Sequence, residues 1–322
     1  MNPGDTGPTH AHVAASASDG VLARVAANAS LRELVLSVLT SCWQDNDLPA
    51  EILPGLLHDA LLTPNSEAAA NAIVDRLFGP LAPPQFRTRY EQARTRKFAA
   101  FARVLDPWVA PGTVVDLGAG GTDLLDALTT DSTLTAVDIE LSNPRPGSRA
   151  KLLRQSRPDR IPLADDSVDT VIATGVLHHI DVDVRQRLIT DTARILRPGG
   201  RLLLLEETFP ANASGDTDID SDALAVACFG AKPDVATGQN DNFQRLGLPE
   251  QMTFLAFTDW WGNRVMKGSL AIPLPYTFLT SEQWRVELDD ADLPIMETRN
   301  LGLCSGGGHM ASPRMLFVCE RR

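Results

Sequence analysis

Two short stretches of this 322-residue chain hold side chains whose types and spacing suit chemistry. In the first, TVVDLGAGGT at 113–122, a β-branched run carries Asp116 near its end. A turn of Gly118, Ala119, Gly120 and Gly121 follows. A turn free of bulky side chains lets a nucleoside-like ligand approach the backbone. A second run, LTAVD, ends in Asp138, with Ile139 after it. A carboxylate at the tip of that strand can accept hydrogen bonds from both ribose hydroxyls. In the other stretch, DDSVDTVIATGVLHHI at 165–180, a strand runs to Thr174 and Gly175, and His178 and His179 lie in the turn beyond. Glu206 and Glu207 end a later apolar strand at the same rim. A His–carboxylate pair there can orient an imidazole and tune it as a general base. Blander readings stand beside these: His179 packed inward on a carbonyl, and Glu206 as a plain end-of-strand carboxylate.

The ligand is not expected to be a dinucleotide. The G-x-G-x-x-G fingerprint needs glycine at position 123, which is Asp, and an acid there disfavours a pyrophosphate at the helix start. A metal held by His178, His179 and Glu206 is disfavoured too, because magnesium prefers carboxylate-rich oxygen sites.

The elements that must position these residues follow from periodicity. Residues 1–20 read as a disordered tail, and 21–105 as an N-terminal helical region with helices over 21–39, 49–62, 66–78 and 85–105. The last of these carries Tyr90 and six basic residues, Arg94 among them. Residues 141–160 call for a helix and a third strand, though propensity supports them weakly. A helix from about Val184 to Leu196 stops at Arg197-Pro198-Gly199-Gly200, and RLLLLEE reads as a buried parallel strand. Residues 208–277 interrupt the pattern, with a polar run at 211–222 and a helix near Ala223–Phe229. A helix start at Thr280-Ser281-Glu282-Gln283, a sixth strand near Ile295–Leu301 and a seventh at Arg314–Cys319 complete the sheet.

Formal net charge is −12, which argues against a nucleic-acid binder. Cysteines 42, 228, 304 and 319 lack any C-x-x-C spacing and suit a reducing compartment. With neither a basic, Leu-rich leader nor an apolar run of spanning length, a cytoplasmic chain off the membrane is expected.

The glycine turn, Asp138, the 165–180 block and the RPGG turn occur in the order and at the spacings seen in class I S-adenosylmethionine-dependent methyltransferases. The chain resembles that superfamily, in its small-molecule branch, over about 111–206 and 278–320. The resemblance implies an α/β fold: a Rossmann-like seven-stranded sheet with the last strand antiparallel, an N-terminal helical region and an inserted lid. It divides the chain into a tail (1–20), helices (21–105), a cofactor-binding core (106–207), the lid (208–277) and the end of the sheet (278–322). It implies S-adenosylmethionine as cofactor, leaving S-adenosylhomocysteine. Asp116, Gly118, Ala119, Gly120, Asp138, Ile139, Asp159, Thr174 and Gly175 would contact it, with Tyr90 and Arg94 over its carboxylate. The superfamily's acid before its "LPF" motif is Arg157 here, so the adenine contact falls to Asp159 or is missing.

The same resemblance implies methyl transfer to a small-molecule acceptor, with a hydroxyl of a cyclic or aromatic natural product favoured. His178, His179 and Glu206 would assist, and Glu207, Trp260, Trp261 and His309 would meet the substrate. Core packing explains the tryptophans equally well, and a surface histidine explains His309. The insertion reads as a lid over the acceptor, or as the arm of a homodimer. A non-methyl step such as cyclisation, or a cofactor-binding partner without chemistry, remains the alternative.

Overall fold

The computed structural model describes residues 17–63, 65–142, 144–211, 218–220, 222, 233–268, 272–304 and 311–322. Seven strands form one sheet: β1 (Thr113–Leu117), β2 (Thr133–Asp138), β3 (Lys151–Arg154), β4 (Val168–Thr174), β5 (Leu196–Glu207), β6 (Ile295–Cys304) and β7 (Ser312–Glu320). Their order is β3-β2-β1-β4-β5-β7-β6. β1 to β5 run parallel, and β7 inserts antiparallel between β5 and β6. This is the sheet the sequence leads one to expect. Strand order reverses between β1 and β4, which opens a crevice at their carboxyl ends where such sheets bind ligands.

Alternation along the strands decides what covers each face. Val115, Leu202 and Leu204 meet α7 (Val182–Ile195) and α10 (Ser281–Asp289) through Leu188, Ile189, Trp284 and Leu288. Val114, Leu203 and Leu205 meet α5 (Phe86–Leu105) and α6 (Asp123–Ala127) through Phe101, Leu105, Leu124 and Leu125. α10 starts at a full capping box: Thr280 accepts from the Gln283 amide, and the Gln283 side chain accepts from the Thr280 amide at 2.9 Å.

The helices before the sheet and those inserted into it share one apolar core. It joins α1 (Ala17–Ala27), α2 (Ala29–Gln44), α3 (Leu53–Leu62) and α4 (Ser66–Phe78) to α8 (Pro233–Gln244), α9 (Leu248–Trp260) and a π-helical turn at Trp261–Met266. Trp43, Trp260 and Trp261 are fully buried there, with the Trp43 and Trp261 rings 6.2 Å apart. Gln239 ties the two segments further, donating to Ser41 Oγ at 2.9 Å and to Ser37 Oγ at 3.1 Å. We call this helical layer the cap.

Several expectations need correction. The first helix is two, split where Asn28 takes an extended conformation and caps α2 by accepting from the Leu31 amide at 3.0 Å. Helix α1 begins at Ala17, inside the stretch read as a tail. No helix forms among the described residues between β2 and β3. Their prolines and glycine instead make a loop pinned to the glycine turn by a Ser142 amide bond to the Gly120 carbonyl at 2.8 Å. The helix expected at Ala223–Phe229 and the residue His309 lie outside the described residues. Among those that are described, no helix is long and apolar enough to cross a membrane.

Candidate functional site

The glycine turn hangs on β2. Gly118 and Ala119 donate to the Val137 carbonyl at 2.8 and 3.3 Å, and Gly120 donates to Asp138 Oδ2 at 2.7 Å. Gly118 has φ +71°, and a Cβ there would run into the Val176 side chain, so no other residue fits. Asp138 Oδ1 accepts from the Glu140 amide at 3.0 Å. Each carboxylate oxygen of Asp138 therefore keeps a lone pair toward the cleft, and Ile139 beside it leaves 46 % of its surface exposed. Asp116 is buried, its Oδ1 has no hydrogen-bond partner, and burial followed by the nearby Asp138 charge pushes its carboxyl well up.

Other expected contacts are arranged differently. Asp159 spends its oxygens on Arg157, at 3.1 and 3.0 Å, and on Arg187 at 3.1 Å. Arg94 pairs with Asp123 at 3.0 Å, at the mouth of α6, where Arg145 pairs as well. Tyr90 packs edge-on to Phe78 in the cap core, and burial pushes its hydroxyl up to about 12. Gln155, just past β3, is a residue the sequence did not single out. It is buried, its amide donates to the Asp138 carbonyl at 2.7 Å, and its Nε2 has no partner.

At the end of β4, Gly175 turns with φ +58° into a 3₁₀ turn, Leu177–His179. Glu206 is fully buried beneath it, accepting from the Val176 and Leu177 amides at 3.1 and 2.7 Å. It also receives His178 Nδ1 at 2.6 Å. His178 is buried, its ring stacked on Phe278 at 4.8 Å. His179 keeps 14 % of its side chain exposed and sets Nδ1 against the Pro273 carbonyl at 3.0 Å. Both rings turn Nε2 to the same atom, Asp259 Oδ1, at 3.7 Å from His178 and 3.6 Å from His179. Sequence reading missed Asp259, the penultimate residue of α9. Asn263, one turn on, donates to it at 2.6 Å.

These charges offset a common cost. Burial pulls the His178 imidazole down, but the Glu206 and Asp259 carboxylates outweigh it and raise it to about 10. Burial and the neighbouring His178 charge lower His179 to about 4. Burial would raise Glu206 and Asp259, yet the facing histidines hold both carboxyls below their usual range.

A ring of cations borders the cluster. Burial, with Lys267, Arg314 and Arg94 nearby, pulls the Lys97 ammonium down to about 7. Its Nζ lies 4.9 Å from the centre of the Phe98 ring. Arg314 pairs with Glu207 at 2.7 Å and crosses the Phe101 face at 5.1 Å. Glu207 Oε2 has no partner. Trp260 and Trp261 sit in the cap core among Phe257 and Trp43, where the packing reading of the pair holds.

The strap after the cap is fastened from below. Arg185, fully buried, grips Glu287 through two bonds of 2.9 and 2.7 Å and donates to the Thr277 carbonyl at 2.8 Å. Thr277 Oγ1 in turn donates to the His178 and Ile180 carbonyls at 3.0 and 3.1 Å. The backbone of the histidine turn is thus locked to both α7 and α10.

Residues 115–204 match the family described as a methyltransferase domain. An uncharacterized methyltransferase of Mycobacterium tuberculosis is 35 % identical over 113 residues, 31 % of this chain and 43 % of that protein. An arsenite methyltransferase of Halobacterium salinarum is 33 % identical over 136 residues, 38 % of this chain and 34 % of that protein. The chain thus spans less than half the length of these relatives. Among solved structures, an S-adenosylmethionine-dependent methyltransferase of Aquifex aeolicus aligns with 13 % identity and a TM-score of 0.41, covering 73 % of this chain and 96 % of that one. A Burkholderia thailandensis 1,6-didemethyltoxoflavin N1-methyltransferase, solved with S-adenosylhomocysteine, aligns with 16 % identity and a TM-score of 0.40, covering 75 % and 92 %.

Proposed function

We propose, for a chain whose core belongs to the class I S-adenosylmethionine-dependent methyltransferases, that it transfers a methyl group to a small molecule, with a hydroxyl of a cyclic or aromatic compound as acceptor. The cofactor supplies an electrophilic methyl on a sulfonium when bound. The residues present fit it. Asp138 retains lone pairs for both ribose hydroxyls, and Ile139 offers an exposed apolar side chain to the adenine face. Gln155 Nε2, buried and unpaired, would donate to an adenine nitrogen in place of the occupied Asp159. Asp116 Oδ1, equally orphaned, would receive an ammonium at the glycine turn. Arg94, beside Asp123, would face the tail carboxylate.

In-line methyl transfer gains most from alignment and from exclusion of water. The cap would supply both, since its inserted helices bring Asp259 against the rim of the sheet. The observation that carries the reading is this convergence of His178, His179 and Asp259 beside Gly175, at the carboxyl end of β4. An acceptor hydroxyl brought there would lose its proton to the cluster. Glu206, with its oxygens engaged by three amides and His178, is then a positioning residue. Glu207, through its free oxygen, would anchor the acceptor.

The test is calorimetric titration with S-adenosylmethionine, followed by S-adenosylhomocysteine release and product mass across a panel of phenols, sugars and amines. Cofactor release with a 14 Da gain on a phenol or sugar, about the mass of one methylene, supports the reading. Binding followed by release with an unmethylated product overturns it.

A further inference from the structure

We infer that His178, His179 and Asp259 form a binding site for a divalent transition ion of the zinc class. Ion binding stands on geometry alone, whereas any part for the ion in catalysis rests on the proposed methyl transfer.

Lone pairs decide what the cluster can hold. A carbonyl oxygen only accepts, so the contact of His179 Nδ1 with Pro273 O at 3.0 Å puts the ring proton on Nδ1 and leaves Nε2 bare. The Glu206 carboxylate, 2.6 Å from His178 Nδ1, fixes the second ring in the same sense, so that an ion would take the place of the proton on its Nε2. Both Nε2 atoms face Asp259 Oδ1 at 3.7 and 3.6 Å. Those gaps exceed the ~2.7–2.9 Å of a charge-assisted hydrogen bond. They lie close to the ~3.4 Å that separates ligand atoms around a tetrahedral ion bound at ~2.0–2.1 Å. One donor atom from each of the three side chains lies within 4.8 Å of the other two.

The surroundings are those of ligands rather than of a packed core. Metal-bound histidines nearly always donate their second nitrogen to a carboxylate or a backbone carbonyl, and here one does each. Asn263 holds Asp259 Oδ1 at 2.6 Å, while Oδ2 is buried with no hydrogen-bond partner. Lys267, the neighbouring cation, donates to Asn263 at 3.0 Å. A π-helical turn begins two residues after Asp259, a rare irregularity concentrated at functional sites. Two imidazoles and one carboxylate select zinc, iron, cobalt or nickel over magnesium. The magnesium objection to a site with Glu206 therefore does not reach this one: Glu206 orients, and the third ligand comes from the cap. Three protein ligands leave a coordination position open.

The experiment uses the untagged full-length chain, purified without chelator and assayed for bound metals by plasma mass spectrometry. It is then stripped and titrated with cobalt(II), followed by visible absorption. About one equivalent per chain and the d–d bands of a low-coordinate cobalt site are expected. Asp259→Ala and His179→Ala should each abolish the bands, and Glu206→Gln should weaken affinity ten- to hundredfold. Circular dichroism and S-adenosylmethionine titration of the same samples report whether each variant is folded. No bound metal together with no cobalt bands overturns the site and identifies a proton as the cation between the rings. Bands that persist in folded Asp259→Ala overturn it as well. A chain that binds cobalt but not the cofactor overturns methyl transfer and leaves the ion site standing.

Discussion

The sheet and the cap were built to different rules, and the contrast explains the site. In the sheet, β1 to β5 follow one another along the chain and their turns carry the glycines and carboxylates of the candidate cleft, while β6 and β7 return only after the cap's inserted helices. The cap is a single apolar core assembled from residues before 91 and residues after 208. One region brings the glycine turn and Asp138, and the other brings Asp259, Lys267 and the strap. The histidine turn belongs to the sheet, yet its charge balance is set by a carboxylate on each side: Glu206 below and Asp259 above.

If the two regions depend on each other, the largest effect should come at their seam. Arg185→Met leaves Glu287 without its bidentate partner and releases Thr277 from α7. Breaking a buried pair in this way costs ~3–5 kcal/mol. Urea unfolding followed by tryptophan fluorescence, to which the cap contributes three of the five tryptophans, and by far-ultraviolet circular dichroism should shift together. Separate transitions would show that the cap folds on its own.

Asp138→Asn tests the sheet's share alone. Removing the charge from an acceptor of two hydroxyls loses ~1.5–3 kcal/mol of binding, or roughly ten- to 150-fold in S-adenosylmethionine affinity. Unfolding stability should barely move. Unchanged affinity would sink the assignment of the cleft.

How much of this could be read from sequence follows the same division. The glycine turn, Asp138 and the histidine pair were legible because each is a local pattern with a local physical reason. The break at Asn28 was hidden by alanines on either side, which favour continuing a helix. The helix expected between β2 and β3 gave way to a loop because Pro144, Pro146 and Gly147 outweighed the weak propensity around them. Asp259, Gln155 and Arg185 had no signature at all. Their roles come from partners 80 to 102 positions away, or from an unpaired atom that only the folded chain reveals. The two tryptophans, for which substrate contact and core packing stood side by side in the sequence, are both fully buried in the cap core.

Lys97 makes the boundary between sheet and cap sensitive to pH. It stands on α5, between the sheet face and the cap, and its ammonium is held down to about 7, chiefly by burial and then by neighbouring cations. Below that value both the folded and the unfolded chain bind the proton, and the full penalty is present. From about 7 up to the ordinary lysine value near 10.5, only the unfolded chain binds it, so the lysine's contribution to stability improves as pH rises. Lys97→Met should be more stable than the parent at pH 7, and the gap should close by pH 10. A constant gap across that range would mean the ammonium is solvated and unshifted.

The smallest effect belongs to the start of α10, in the part of the sheet that is completed after the cap. Thr280→Ala removes one arm of the capping box and should cost ~1 kcal/mol. Because α10 also carries Trp284, which packs on the sheet, and Glu287, which holds Arg185, the loss should pass to the strap beside His178. Hydrogen exchange would then speed up at the α10 amides and at the 3₁₀ turn that carries the histidines, leaving β1 and β2 unchanged. Faster exchange confined to α10 would mean that the Arg185 clamp alone keeps the histidine turn in place, and that the helix merely presents Glu287 to it.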